Sequence, residues 1–267
     1  MLTLSIVAAD GEERCRYEGA REVTLSWRDF YEPGDRIVVT SDECRARLAM
    51  KLDAALPESF VTLAGDRFEF PVPVDAACKD YPQGIAFAGE RHWCYVRVLD
   101  EREYGSWRNL ALNAYDLRTA EDERPQLYPH AATNVACDNP QFFAKNAIDG
   151  VFETSNHGSW PHESWGVAGR ADAVLRIDFG EEIRADELCI YLRADFPHDT
   201  CWSRAHIELS TGEVLEVELA KTGEAQCFDL TGREFSWLAV KPFDKIDPDG
   251  FPAISQVMVM GTPVSAQ

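Results

Sequence analysis

The sequence predicts an all-β protein made of two β-sandwich domains of the jelly-roll kind. Short runs of alternating or β-branched hydrophobic residues recur about every ten residues along the chain. Turn formers such as EPGD, AGDR and YPQG separate these runs, and little of the chain shows the periodicity of an amphipathic helix. Short strands at regular spacing between such turns are typical of sandwiches and jelly rolls.

The N-terminal half supplies the first series of strands. The expected strands are the runs LTLSIV, EVTLSW, RIVVT, RLAMKL, FVTLA, RFEFPVPV and CYVRVL. In YEPGDRIVV a proline presets the backbone and a glycine permits the bend, so a turn leads directly into a strand. Tyr81, His92 and Trp93 follow in this half, either buried or lining a second cleft, and burial is favoured.

A change in amino-acid composition marks the predicted domain boundary. Residues 106–124 are polar and irregular and end in a charge run before Pro125. We therefore expect a linker near residues 119–125 and two domains, residues 1–124 and residues 125–267. The strands expected in the second domain are AVLRIDFG, ELCIYLRA, HIELSTG, VLEVELA, CFDLTG, SWLAVKPF and AISQVMVMG.

The charge of the chain limits its partners. It carries 26 Lys and Arg against 46 Asp and Glu, for a net charge of −20. Phosphate backbones and anionic membrane surfaces are repelled by such a protein, which excludes nucleic acid as an expected partner. No run approaches the roughly 20 apolar residues of a membrane span, so no membrane insertion is expected.

The eight cysteines are expected to be free thiols. None forms a CxxC pair, and the apolar start of the chain lacks the basic segment of a secretory signal. These observations favour a cytoplasmic protein in a reducing compartment, with disulfides as the alternative.

One stretch of the second domain has the composition of a binding loop. RADFPHDTCW, residues 193–202, follows the buried run ELCIYL and combines an arginine, two aspartates, a histidine and two rings. SNHGSWPHESW, residues 155–165, adds further histidines and tryptophans among turn formers. A sugar needs a flat ring against its C–H face and polar groups around its hydroxyls, so this mixture fits a sugar site. The alternative is structural: Arg193 pairs with Asp195, and Trp202 fills the end of the sandwich.

Catalytic motifs are missing from the sequence. It contains no GxSxG, HExxH, GxGxxG or phosphate-loop pattern, and no particular carboxylate pair stands out. A transition-metal site would require His157, His162 and His198 to converge, which their spacing does not demand. An enzyme is therefore the less expected class.

The C-terminal half resembles a known family of domains. Its motifs are ATNVACDNPQFFAKNAIDGVFETSNHGSW, then ADAVLRIDFGEEIRADELCIYLRAD, then IELSTG. They resemble the discoidin or coagulation-factor type C domain, one of the galactose-binding-like jelly rolls, which include family 32 carbohydrate-binding modules. The resemblance covers about half of the chain, from Pro129 to Gly261.

The resemblance implies a structural calcium ion. In that family an Asp of an Asp-Gly pair, a following Thr and a Glu near the C-terminal strand hold the ion, with nearby carbonyls. Asp149 and Thr154 match, whereas Gln256 stands at the Glu position. An amide oxygen can still coordinate calcium, but the lost carboxylate lowers the expected affinity.

The resemblance also implies carbohydrate binding on loops at one end of the jelly roll. Arg193 would bond sugar hydroxyls, and Trp160 or Trp202 would supply the stacking face. The full set of expected ligand-binding residues is Arg193, Asp195, His198, Asp199, Trp202, His157, Trp160 and His162. Two alternatives stay open: a carbohydrate-active enzyme with a site at the domain junction, and a protein–protein adaptor.

Overall fold

The computed structural model describes residues 1–118, 124–194 and 199–264, and the described chain is nearly all β. The strands are β1 (Leu2–Val7), β2 (Glu13–Gly19), β3 (Glu22–Trp27), β4 (Arg36–Ser41), β5 (Arg47–Lys51), β6 (Ser59–Leu63), β7 (Arg67–Pro71), β8 (His92–Val98), β9 (Arg108–Asn109), β10 (Leu127–Tyr128), β11 (His130–Thr133), β12 (Trp165–Gly166), β13 (Leu175–Leu192), β14 (Trp202–Leu209), β15 (Val214–Glu218), β16 (Gln226–Lys245) and β17 (Ala253–Pro263). The helical segments are α1 (Glu101–Tyr104) and the 3-10 turns Asp75–Asp80, Pro140–Phe142 and Ala144–Ala147. The predicted all-β class is confirmed.

The described residues form two compact units. The first contains residues 1–104 and 124–128, and the second contains residues 105–118 and 129–264. The chain changes unit more than once because β9 pairs with β17 of the second unit, whereas β10 pairs with β6 of the first. Most of the linker predicted at residues 119–125 lies outside the described residues.

The first unit consists of two antiparallel sheets, with strand orders β2-β1-β4-β7 and β10-β6-β5-β8-β3. Strand β3 alternates buried and exposed positions, as a strand with one solvated face does. His92 is buried as expected, but Trp93 is 44% exposed. The burial favoured for Trp93 is therefore wrong, because successive side chains of β8 point to opposite faces and Trp93 takes the outer one.

The second unit is built on two long, bent strands. The start of β13 pairs with β11 and with the end of β16, while the rest of β13 pairs with β17 and with the start of β16. Register shifts between Asp178 and Ile183 separate these two parts of β13, and Gly180 and Gly232 take positive φ at the bends. Strand β14 pairs with the end of β16, and β15 pairs with β14, so both strands extend the portion of the sheet that contains β11. Side chains from both parts fill one continuous core.

Two cysteines of the second unit form a disulfide. Cys189 of β13 and Cys227 of β16 are direct cross-strand partners and are bonded to each other. The expectation of free thiols is wrong for this pair and right for the remaining six cysteines. The pairing was hidden from the sequence because Cys189 lies in an apolar run, where cysteine also serves as a small hydrophobe.

In the described part of the chain, no helix is long and apolar enough to cross a membrane.

Candidate functional site

Three loops of the second unit meet where β13 ends. Leu192, the last residue of β13, pairs with Ile254 near the start of β17, and Trp165 of β12 pairs with Ile254 from the other side. The loop that leaves β13 and the loop that enters β17 therefore lie at the same end of the sheet, and Ser164, directly before β12, bonds Arg193 there. The described residues of these segments are 193–194 and 199–201 after β13, 246–252 before β17, and Ser164 before β12.

Arg193 ties these loops together. Its Nε donates to Asp199 Oδ2 at 3.1 Å, its Nη1 to Ser164 Oγ at 3.4 Å and its Nη2 to the Phe251 carbonyl at 2.9 Å. Arg193 is 5% exposed and Asp199 is equally buried. A buried guanidinium in this fork of bonds holds its neighbours in place. The structure therefore brings the two predicted residues Arg193 and Asp199 together. They are buried, however, so they hold the loops in position rather than face a ligand.

Trp202 lies in the core rather than on the surface. It is 2% exposed and stacks on Trp165, with ring centroids 6.3 Å apart. Trp165 is fully buried, and its Nε1 donates to Thr133 Oγ1 at 3.1 Å. This arrangement leaves no face of Trp202 for a sugar and corresponds to the structural alternative, in which the ring fills the end of the sandwich.

The loop before β12 carries the other predicted residues. His157 is exposed, and Trp160 and His162 are half-buried. His162 Nδ1 lies 3.9 Å from Glu153 Oε1. Hydrogen bonds from Ser155 lower the pKa of Glu153, so this carboxylate is anionic near neutral pH. The predicted residues Asp195 and His198 lie outside the described residues.

Phe251 is the ring that the sequence analysis missed. It is 67% exposed on the loop that enters β17, and Ile246 on the same loop is also exposed. Its segment, DPDGFPA, places an aromatic residue among turn formers directly before a strand. The same reasoning that singled out residues 193–202 applies to this segment and could have identified it.

The loop around Phe251 is braced on several sides. Lys245 Nζ donates to the carbonyls of Pro248 and Gly250, at 2.7 and 3.3 Å. Thr200 Oγ1 accepts from the Asp247 backbone at 3.1 Å. Together with the bond from Arg193, these contacts fix the backbone that carries the exposed ring.

Two of the residues predicted to hold calcium, Asp149 and Gln256, are bonded to each other, and Thr154 lies in the same loop as Asp149. Asp149 Oδ1 accepts from the Val151 backbone at 2.8 Å and from Gln256 Nε2 at 2.9 Å. Gln256 Nε2 also donates to the Val151 carbonyl, at 3.2 Å. Thr154 is buried in the same loop, and Gly150 has a φ of +88°, as the predicted Asp-Gly turn requires. Burial raises the pKa of Asp149 to about 6.

This donor set does not fit a calcium ion as it is arranged. Calcium takes oxygen ligands that all point at the ion. Here the Asp149 carboxylate and the Val151 carbonyl both point at an amide N–H. The calcium ion itself stays a prediction from the sequence resemblance.

A separate group of metal-ligating side chains lies on β13 and β16. Across the described ranges, the group found consists of Glu187, Cys189 and Cys227. The two sulfurs are bonded to each other, so neither offers a thiolate. The described histidines His157 and His162 belong to no such group.

Comparisons with known proteins give structural neighbours only. No family model matches the sequence, and no curated protein sequence matches it. A chitosan-binding module from the chitosanase/glucanase of Paenibacillus sp. IK-5 is 18% identical, over 58% of this chain and 99% of the module, with a TM-score of 0.40.

Two further solved structures are similar over about the same share of the chain. The family 32 carbohydrate-binding module of C. perfringens NanJ, in complex with galactose, is 14% identical over 49% of this chain and 91% of its own, with a TM-score of 0.39. The lectin domain of lectinolysin, in complex with Lewis B antigen, is 13% identical over 58% of this chain and 97% of its own, with a TM-score of 0.43. These neighbours are carbohydrate-binding modules and a lectin domain.

Proposed function

We propose that this protein binds carbohydrate on the loops at one end of its second unit, around Phe251. The observation that carries the proposal is an exposed ring on a braced loop. A loop backbone held in place before the ligand arrives loses little conformational entropy on binding, which favours affinity. The C–H face of a pyranose can stack on such a ring.

The polar surroundings of Phe251 suit hydroxyl and ammonium groups. Asp247 and Asp249 are exposed on the same loop. The loop before β12 carries His157 and His162, and the chain as a whole carries a net charge of −20. Carboxylates accept hydrogen bonds from sugar hydroxyls and attract the ammonium groups of amino sugars. Neutral sugars and cationic amino sugars are therefore the ligand classes that this site favours.

Arg193 has a positioning role in this proposal. Its fork holds the Phe251 carbonyl, Ser164 and Asp199, so it sets the spacing of the loops from below. This differs from the direct sugar contact expected from the sequence. Asp195 and His198 stay predicted ligand-binding residues, and Trp160 is the predicted ring that retains some exposure.

The test is isothermal titration calorimetry, in which simple sugars are titrated into wild type and into Phe251→Ala. The panel contains galactose, fucose, N-acetylglucosamine and glucosamine oligomers. Removing an anchoring ring typically costs about 2 kcal/mol, or roughly thirtyfold in Kd. The melting temperature should change little, because an exposed side chain contributes little to stability.

Phe30→Ala is the matched control, since Phe30 is an exposed phenylalanine of the first unit. It should leave sugar binding unchanged. Equal affinity in Phe251→Ala and wild type would refute the role of Phe251. No binding of any sugar by folded wild type would refute the proposed function.

A protein–protein adaptor is the second candidate, and one observation favours it. Ile246 and Phe251 are both exposed and apolar on one loop, and exposed apolar residues on a loop can bind a partner protein. Ile246→Ser separates the two candidates. It should leave sugar affinity within about twofold if Phe251 acts through stacking, whereas a protein interface centred on this loop would lose affinity in both variants.

A further inference from the structure

The side chain of Gln256 contacts the loop of residues 149–154 from β17. It is fully buried on β17, directly opposite Tyr191 of β13. One nitrogen bonds two groups of the loop, the Asp149 carboxylate and the Val151 carbonyl. A single neutral group thus holds together two oxygens that would otherwise repel each other.

The orientation of the amide follows from the chemistry of its partners. Asp149 Oδ1 and the Val151 carbonyl are both acceptors, so only the N–H side of the amide can face them. The Gln256 Oε1 atom then points away, and it has no hydrogen-bond partner among the described residues. Turning the amide by half a turn would bring three oxygens together, an arrangement that a bound cation stabilises.

The charges around the loop oppose a dication. Asp149 is the single carboxylate of the predicted ligand set, since Thr154 and Gln256 are neutral. The positive charge of Lys145 already acts on the Asp149 carboxylate. Calcium affinity depends on the number of charged ligands, so one carboxylate beside a lysine is a poor site for the ion.

We propose that the Gln256 carboxamide takes the place of a calcium ion in holding the loop of residues 149–154, so that the second unit keeps this loop in position without divalent metal. The two amide hydrogens bond the same kinds of oxygen that a cation would bind. This inference is independent of the proposed sugar site, which lies on other loops.

The first test compares the thermal unfolding of wild type in calcium chloride and in chelator. The melting temperature should be the same in both within about one degree, and titration calorimetry with calcium should show no binding at micromolar concentrations. A melting temperature that falls in chelator and recovers with calcium would overturn the proposal. So would tight calcium binding by wild type.

The second test is Gln256→Glu, which restores a carboxylate at this position. In chelator the variant should melt several degrees below wild type, because two buried carboxylates face each other and the amide bonds are lost. Added calcium should raise the melting temperature of this variant, because a ligand that binds only the folded state stabilises it. If Gln256→Glu folds but does not respond to calcium, the position is not one that an ion can take, and the proposal is wrong.

Gln226→Glu is the matched control. Gln226 is a half-buried glutamine of β16 whose amide bonds the Ala220 backbone through both its oxygen and its nitrogen. Its conversion to Glu should produce no response to calcium. If Gln256→Glu does not fold, the wild-type titration and Asp149→Asn decide the question. An asparagine oxygen can still accept from Val151 and Gln256, so this variant should keep its melting temperature, and a large loss would contradict the amide bridge.

Discussion

Replacing Trp202 by alanine distinguishes a core role from a ligand-binding role for this residue. The side chain is 2% exposed and stacks on Trp165. An aromatic side chain of this size buries roughly 200 Å², and at about 25 cal/mol per Å² this area corresponds to about 5 kcal/mol. The unfolded chain already buries part of that area, which reduces the loss, whereas the cavity left beside Trp165 adds to it. We therefore expect Trp202→Ala to lower the free energy of unfolding by about 3 to 5 kcal/mol.

The assay is differential scanning calorimetry, because each unit can give a transition of its own. For a unit of this size, 1 kcal/mol shifts the melting temperature by about 2 to 4 °C, so the transition of the second unit should fall by roughly 6 to 20 °C. Trp107→Ala is the control: Trp107 lies in the same unit, is exposed, and its Nε1 donates to Asp186 Oδ2 at 2.9 Å. It should shift the transition by a few degrees at most. If Trp202→Ala melts like wild type and loses sugar binding, the assignment of Trp202 to the core is refuted.

Two further predictions concern stability. His130 Nδ1 bonds Asp116 Oδ1 at 2.8 Å; burial lowers the pKa of His130, but the hydrogen bond and charge of Asp116 outweigh burial and raise it overall. This stabilisation is fully present below about pH 6.5, the pKa of an unfolded histidine, and is lost as the pH rises through the higher folded value. In urea denaturation, the stability advantage of wild type over His130→Gln should therefore shrink as the pH rises above neutral, and an advantage that grows would contradict this assignment. The disulfide between Cys189 and Cys227 closes a loop with a sequence separation of 38, which the chain-entropy model values at about 4 kcal/mol. Reductant should lower the melting temperature of wild type to that of Cys227→Ser, and a reduced protein that melts like the oxidised one would show that the bond does not stabilise the fold.

The strands of the fold were largely predictable from the sequence because hydrophobic alternation and turn residues are local signals. The run EVTLSW is β3, and AISQVMVMG lies within β17. The charged strand β2 was missed, because an edge strand with mostly exposed side chains has no hydrophobic pattern. AVLRIDFG and ELCIYLRA, expected as two strands, are one strand, β13, because Gly180 lets the backbone bend within the strand.

The sequence singled out Arg193 and the loop before β12, but it did not reveal Phe251 or the roles of the individual residues. The loop after ELCIYL does carry Arg193, which meets the loop before β12 through Ser164. Whether a side chain on such a loop points inward or outward depends on packing with segments distant in sequence. Trp202 turns inward onto Trp165, while Phe251 turns outward, and no local pattern distinguishes the two. The amide bridge of Gln256 joins residues more than 100 positions apart, so composition gave no sign of it.

The crossing of the chain between units constrains how this protein can be made and rearranged. Residues 105–118 belong to the second unit, yet they precede residues 124–128, which complete the first. During synthesis the first unit cannot close the edge of β6 with β10 until this stretch of the other unit has already been made. A single cut in the gene also fails to give two intact halves. A cut after residue 104 or after residue 124 separates Leu127 and Tyr128 from β6. The edge of β6 is then free to pair with other chains. A fragment that contains either unit intact must therefore include part of the chain that belongs to the other.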